Sequence, residues 1–218
     1  MYLTQNATNT LIVHATDSVG NIGTGSIVIV EATGTDDFTG GETVTAADLP
    51  FVATASGGDP SSTDKITILT PITFNPTGNI RVTLPSGTDI TDSSGGTFDA
   101  TALAAAAASV TGGLDTNESS DGAIEFGISG IGLNFSRPIK VEIPVTGVTT
   151  STITVKVKHG GTSTFVTTGL TNDPTATCTN GIPSISSNIA TVSAGVATIY
   201  TCSASTFTAY STTSVIIS

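Results

Sequence analysis

The residues able to do acid–base or metal chemistry are few in this chain, and they stand apart. It has two histidines, His14 and His159, two cysteines, Cys178 and Cys202, and no tryptophan among 218 residues. His14 falls on the face of an alternating run opposite Val13, and His159 opens a Gly-Gly turn. Neither has a His or Cys at the spacing zinc requires, and no Ser–His–Asp arrangement is legible. There is no G-x-S-x-G elbow, and no glycine-rich phosphate loop carrying a lysine. The expectation is a protein that is not an enzyme and binds no organic cofactor.

Other chemistry is structural. Cys178 and Cys202 lie 24 apart, each in or beside a β-like run. Without a CxxC pair or clustered histidines, they are expected as a disulfide rather than a metal site or reactive thiol. Closing such a loop contributes on the order of 3 kcal/mol. Carboxylates gather at Asp36–Asp37, at Asp89 with Asp92, and at Asp115 with Glu118 and Asp121. Oxygen-rich loops suit Ca2+, although none follows the EF-hand spacing. Asp36, Asp37, Asp115 and Asp121 are the calcium candidates, with solvated loop carboxylates as the alternative. Asn6, Asn117 and Asn134 begin N-x-S/T triplets and are candidate glycosylation sites. A lysine–asparagine amide cross-link would need a buried lysine beside a carboxylate. Lys65, the lysine most isolated from other basic residues, is the candidate for it. A glycan-binding platform would need exposed aromatics, and only Tyr2, Tyr200 and Tyr210 join the phenylalanines.

Composition narrows the setting. Charged residues make up 11% of the chain, against roughly 25% in an ordinary domain. Ser and Thr, 67 in all, fill the gap. With a net charge of −11 and six basic residues, nucleic-acid binding is excluded, because phosphate recognition needs clustered Lys and Arg. Four of the six (Arg137, Lys140, Lys156 and Lys158) lie close together, mostly at outward strand positions, and read as a solvated face. The longest apolar runs, Ala102 to Ala108 and Ile27 to Val30, fall far short of the ~20 residues of a membrane helix. Met1–Gln5 shows no basic or apolar leader pattern, so either the mature protein begins there or the chain is a piece of something longer.

The elements that must position these residues have period two. Val-, Ile- and Thr-rich runs recur between Gly, Pro, Asn and Asp punctuation, which predicts an all-β antiparallel sandwich of Ig-like or Greek-key type. In Ser151 to His159, Ile153, Val155 and Val157 face one way, while Thr152, Thr154, Lys156 and Lys158 face the other. Further strands are expected at Thr10–Thr16, Gly25–Glu31, Lys65–Thr70, Asn79–Leu84, Ala123–Ile128, Ile139–Val145, Ser163–Thr168, Ile189–Val192, Ala197–Cys202 and Phe207–Ile217. Pro85-Ser86-Gly87, Ser94-Gly95-Gly96, His159-Gly160-Gly161 and Asn180-Gly181 supply the turns. Asp99 to Val110, an alanine run behind an N-cap Asp, predicts a short helix, with a small-residue strand or packed loop as alternatives. Thr111 to Gly122 is expected as a polar loop.

Residues 9–31 carry a more specific signal. Asn9, Leu11, Val13, Ala15, Asp17, Gly20, Asn21, Gly23 and Ile27, with Ile29 at a final Val position, match the closing hairpin of bacterial immunoglobulin-like repeats. The chain resembles that family over this hairpin only, and the strands that precede it in such a repeat are missing. Gly78 to Thr91, Gly122 to Val145 and the cysteine-containing C-terminal stretch resemble β-sandwich modules of large secreted bacterial surface proteins. That resemblance implies an exported, multi-module protein and no catalytic residues. The expected organisation is an Ig-like hairpin segment (1–32), a linker (33–41) and a β-sandwich domain (42–218).

The function expected is that of a structural protein outside the cell, at the cell surface. It would be a surface-layer or pilus-like filament subunit that assembles by β-strand augmentation. The alternative is an adhesin or ligand-binding module of a long cell-surface protein. The partners expected are copies of itself or neighbouring modules, and glycans, with no nucleic acid and no membrane insertion.

Overall fold

The computed structural model describes residues 8–16, 18–30, 36–39, 51–53, 62–77, 80–108, 110, 112–159 and 164–212. The chain divides into two compact units, Met1–Thr35 and Asp36–Ser218.

In the first unit, β1 (Thr8–Thr16) and β2 (Ile22–Val30) form an antiparallel hairpin. Its register is unbroken from Thr8↔Val30 to Thr16↔Ile22, with Leu11 opposite Ile27. In the tip between them, Val19 is 81% exposed. Among the described residues these two strands pair only with each other.

The second unit opens with β3 (Asp36–Thr39), β4 (Phe51–Ala53), β5 (Lys65–Ile68) and β6 (Ile72–Thr77). Then come β7 (Ile80–Leu84), β8 (Asp89–Asp92), β9 (Ala104–Ala107) and β10 (Glu118–Gly127). The long β11 (Leu133–Pro144) and β12 (Thr152–Lys158) precede three short strands: β13 (Leu170–Thr171), β14 (Cys178–Thr179) and β15 (Ile182–Pro183). The chain finishes with β16 (Ile189–Ser193), β17 (Val196–Ser203) and β18 (Ser205–Thr212). Except for the β14–β15 hairpin, these strands join one sheet whose main path runs β3-β6-β7-β11-β17-β16-β12-β18-β10-β9. All its pairings are antiparallel but one: β3, which falls within the segment expected as linker, runs parallel to β6.

The path curls back on itself. β6 and β10 are seven steps apart along it, which would separate them by about 34 Å in a flat sheet. Yet the rings of Phe74 on β6 and Phe126 on β10 lie 5.2 Å apart, and Phe135 on β11 sits 6.1 Å from Phe126. The two ends of the sheet therefore face each other across a core. Ile66, Ile72, Val82, Ile139, Val155 and Phe207 are wholly buried there. Burying each such side chain stabilises the fold by about 1.5–3 kcal/mol relative to leaving it exposed. This is the all-β, sandwich-like architecture expected from the period-two pattern.

β11 holds the curl by serving two sets of partners. Its start, Leu133–Phe135, pairs with β8, and its later part, Lys140–Glu142, pairs with β7. The register against β17 shifts between Asn134 and Ile139. Pro138 lies inside that shift, where its missing N–H costs no ladder bond. On the neighbouring β10, Gly122 sits at a register shift against β18, and a Cβ there would run into the Pro144 carbonyl.

Three local expectations change. The predicted helix at Asp99–Val110 is one 3-10 turn, Ala100–Ala102, followed by the strand β9. Asp99 caps the turn as expected, accepting from the Thr101 N–H at 2.9 Å. Beyond it the alanines pair with Ile124–Gly127 of β10, so an available strand edge overrides alanine's helix preference. The polar loop predicted up to Gly122 ends sooner, because β10 begins at Glu118. Finally, the strand expected at Ser163–Thr168 is reduced, among the described residues, to an isolated bridge between Val157 and Val166.

Candidate functional site: a disulfide-pinned layer, a cleft and a buried lysine

The segment after β12 leaves the sheet, folds over it and is fastened at several points. Val166 exchanges backbone hydrogen bonds with Val157 at 2.8 Å each way. β13 pairs with Leu170↔Thr201 of β17, and Cys178 of β14 is disulfide-bonded to Cys202 of β17, as expected. The turn between β14 and β15 is Asn180-Gly181, with φ of 49° and 75°, the pair of left-handed residues a two-residue hairpin demands. Gly181 is required for a second reason: a Cβ there would collide with the Asn134 Oδ1. Ser187 N–H donates to Leu170 O, and Val155 N–H donates to Asn188 O, which returns the chain to β16.

A cleft of about 600 Å³ opens beside this layer, lined by Asn134, His159, Asn180, Gly181, Ile182 and Ser203 among others. Its polar groups are amides, hydroxyls and one imidazole. Burial holds the His159 imidazole below its usual value of 6.5, so it is neutral at pH 7. The Ser205 hydroxyl lies 2.8 Å from His159 Nδ1 and donates to the Ala204 carbonyl. The pair braces the wall where His159 lines the cleft. Ser203, 8% exposed, has a buried hydroxyl with no hydrogen-bond partner among the described residues.

The sequence pattern placed Lys156 on a solvated face, and the structure corrects this. Ile153, Val155 and Val157 are buried as the alternation requires, but Lys156 is only 7% exposed as well. Its outer face is roofed. The chain ahead of β10 crosses it, tied at Gly113 O to the Phe165 N–H, while the buried Phe165 ring lies 5.3 Å from the Lys158 ammonium. Beneath that roof the Lys156 ammonium contacts Glu118 Oε2 at 2.6 Å, Glu118 Oε1 at 2.8 Å and Asp115 Oδ2 at 3.2 Å. It also lies 4.8 Å from the centre of the Tyr210 ring, close enough for a cation–π attraction. Burial acts to lower the Lys156 pKa, but hydrogen bonds to Glu118 and Asp115 outweigh it and raise the value above 10.5. The group is thus a buried ammonium and a poor nucleophile. Lys65, the candidate for an amide cross-link, lacks the required burial: its side chain is 37% exposed and forms an ion pair with Asp89 at 3.3 Å.

The same geometry engages two of the four calcium candidates, although Asp121 Oδ2 is buried with no hydrogen-bond partner among the described residues. Asp115 turns to Lys156, while Asp121 Oδ1 accepts from the Ser211 hydroxyl at 3.3 Å. Asp89 accepts from Lys65 and Thr67, and Asp92 from Ser94. Among the described residues, no group of three or more His, Cys, Asp or Glu could hold a metal ion. The side chains of Asp36 and Asp37 lie outside the described residues, as do Asn6 and the side chain of His14. Of the other glycosylation candidates, Asn117 is exposed in the turn before β10, while Asn134 is part-buried with its amide against Gly181.

Sequence reasoning missed Lys156, because only its distant roof distinguishes it from Lys158. One signal was present: Asp115 and Glu118, three residues apart, close a turn in which the Asp115 N–H donates to Glu118 Oε2 at 3.0 Å. No family model, no curated protein and no solved structure matches this chain.

Proposed function

We propose that this chain is a structural protein of the cell exterior, a surface-layer or filament subunit that assembles by β-strand augmentation. The observation carrying the proposal is the β1–β2 hairpin: two nine-residue strands in complete register that form a compact unit of their own. A two-stranded hairpin is marginal in water, and its free N–H and C=O rows are templates for another strand. Two further features support the setting. A disulfide persists in oxidising surroundings, and a surface of hydroxyls in place of charges leaves few ion pairs for salt to screen. The resemblance of residues 9–31 to the last hairpin of bacterial immunoglobulin-like repeats points the same way. In this reading the chain performs no catalysis, and its principal partner is a copy of itself.

The test compares the full chain with one beginning at Asp36, by light scattering and negative-stain imaging. Association of the full chain that is lost on removing residues 1–35 supports augmentation. Two monodisperse monomers contradict it.

A second reading, an adhesin or ligand-binding module of a longer surface protein, is favoured by one observation. The cleft beside the disulfide offers Asn134, Asn180 and Ser203 in a concave setting, which suits a small neutral ligand such as a sugar. An array of surface glycans distinguishes the two readings.

A further inference from the structure

The cleft beside the disulfide continues into a second one. That second cleft, of about 630 Å³, is lined by Ala104, Ala106, Glu125, Gly127, Lys158 and Thr206 among others. The two share Gly132 and Ala204 in their walls. They are also bridged where His159, which lines the first, meets Ser205, which lines the second, at 2.8 Å. The floor of the second cleft is the outer face of four adjacent strands. Ala106 lies opposite Glu125, Glu125 opposite Thr206, and Thr206 opposite Lys158. That row crosses β9, β10, β18 and β12, about 14 Å at the usual strand spacing. Small residues keep the floor low, and a Cβ at Gly127 would lie 2.9 Å from the Ala204 Cβ.

The lining chemistry differs between the two halves. Asn134, Asn180 and Ser203 give the first half amides and hydroxyls. Lys158 and Glu125 are the charged residues of the second, and His159 between the halves is neutral at pH 7. Lys65, Lys140 and Lys156 are each ion-paired, whereas Lys158 has no carboxylate partner among the described residues, and its ammonium rests 5.3 Å from the Phe165 ring. The groove thus offers one strong donor and one strong acceptor, two strands apart, beside neutral groups that do both. Hydroxyl groups, which donate and accept, match that set.

Other ligand classes fit less well. A single lysine is not a phosphate site, and a chain of net charge −11 repels acidic polymers. The floor is a sheet face and not an edge, so it presents no row of backbone groups to an extended peptide.

We infer that the two clefts form one groove for a neutral oligosaccharide. One sugar unit sits against Asn134 and Asn180, and the chain runs past Gly132 and Ala204 to Glu125 and Lys158. The inference rests on the second reading, the ligand-binding module, and extends its site from one sugar to a chain.

The experiment is an NMR titration of the full chain with glucose, mannose and N-acetylglucosamine, each as the single sugar and as its neutral tetrasaccharide. At least one tetrasaccharide is expected to bind about tenfold or more tightly than its own single sugar, because the second half adds charge-assisted hydrogen bonds. Its amide shifts should fall on both sides of Gly132. Lys158→Met and Glu125→Gln should each weaken the tetrasaccharide by about tenfold and leave the single sugar unchanged. Asn180→Gly, which keeps the turn but removes the amide, should weaken both. Lys140→Met, whose lysine lines neither cleft, should weaken neither. Unchanged melting temperatures separate lost contacts from lost fold. A tetrasaccharide that binds no better than its single sugar, or is indifferent to both Lys158→Met and Glu125→Gln, overturns the inference and leaves the module reading standing. If no sugar of the panel shifts the residues of either cleft, both fall.

Discussion

Lys65 and Lys156 hold equivalent positions, each facing away from the buried isoleucines and valines of its strand, and they come to rest in different surroundings. Lys65 on β5 keeps 37% of its side chain exposed beside Asp89, itself 34% exposed. Lys156 on β12 and its partner Glu118 are each 9% exposed, and their charged atoms are 2.6 Å apart. The local alternation is the same, so the difference comes from what crosses overhead. The chain ahead of β10, which brings Asp115 and Glu118 to the Lys156 ammonium, roofs one face. An exposed ion pair contributes about 0–1 kcal/mol. A buried one is costly to break, because the orphaned charge stays out of water.

The largest effect should come from Lys156→Met, which leaves the Glu118 carboxylate under the roof without its cation. We expect a loss of about 3 kcal/mol in denaturant unfolding. Lys156→Met combined with Glu118→Gln should recover much of that loss. A loss no greater than for Lys65→Met would erase the distinction between the two sites.

Phe165→Ala loosens the segment whose backbone is bonded to Gly113, two residues before Asp115, and should cost about 3 kcal/mol. Its more telling readout is amine labelling at pH 8. Lys65 should react quickly in both proteins, and Lys156 slowly in the native chain but faster in the variant. Unchanged Lys156 reactivity would mean that Phe165 is not what shields it.

Alkaline titration gives a smaller effect of known sign. The folded-state pKa of Lys156 is raised above 10.5, so its contribution is fully present below 10.5 and declines as pH rises through the folded value. Melting temperature should fall above about pH 10.5 more steeply in the native chain than in Lys156→Met. The smallest effect is that of Lys65→Met, within about 1 kcal/mol of native stability.

Features set by neighbours in sequence were the legible ones. The alternation of Ile153, Val155 and Val157, the Asn180-Gly181 turn and the pairing of Cys178 with Cys202 follow from local rules. Features set by distant contacts were not. Ala104–Ala107 reads as helix until β10 offers an edge. Pro138 gives no sign that β11 will change partners around it. The parallel pairing of Asp36–Thr39 with β6 lies in a stretch whose Gly and Asp content reads as linker. Of the candidate site, the disulfide was visible in advance, while the cleft and the roofed lysine required the curl of the sheet.

Assembly through the hairpin is tested most directly by amide hydrogen exchange on β1 and β2 across a concentration series. Edge pairing with a neighbouring copy predicts that protection of Thr8–Thr16 and Ile22–Val30 rises with protein concentration, in step with the appearance of larger species. Protection of those strands that stays constant from dilute to concentrated protein would contradict it.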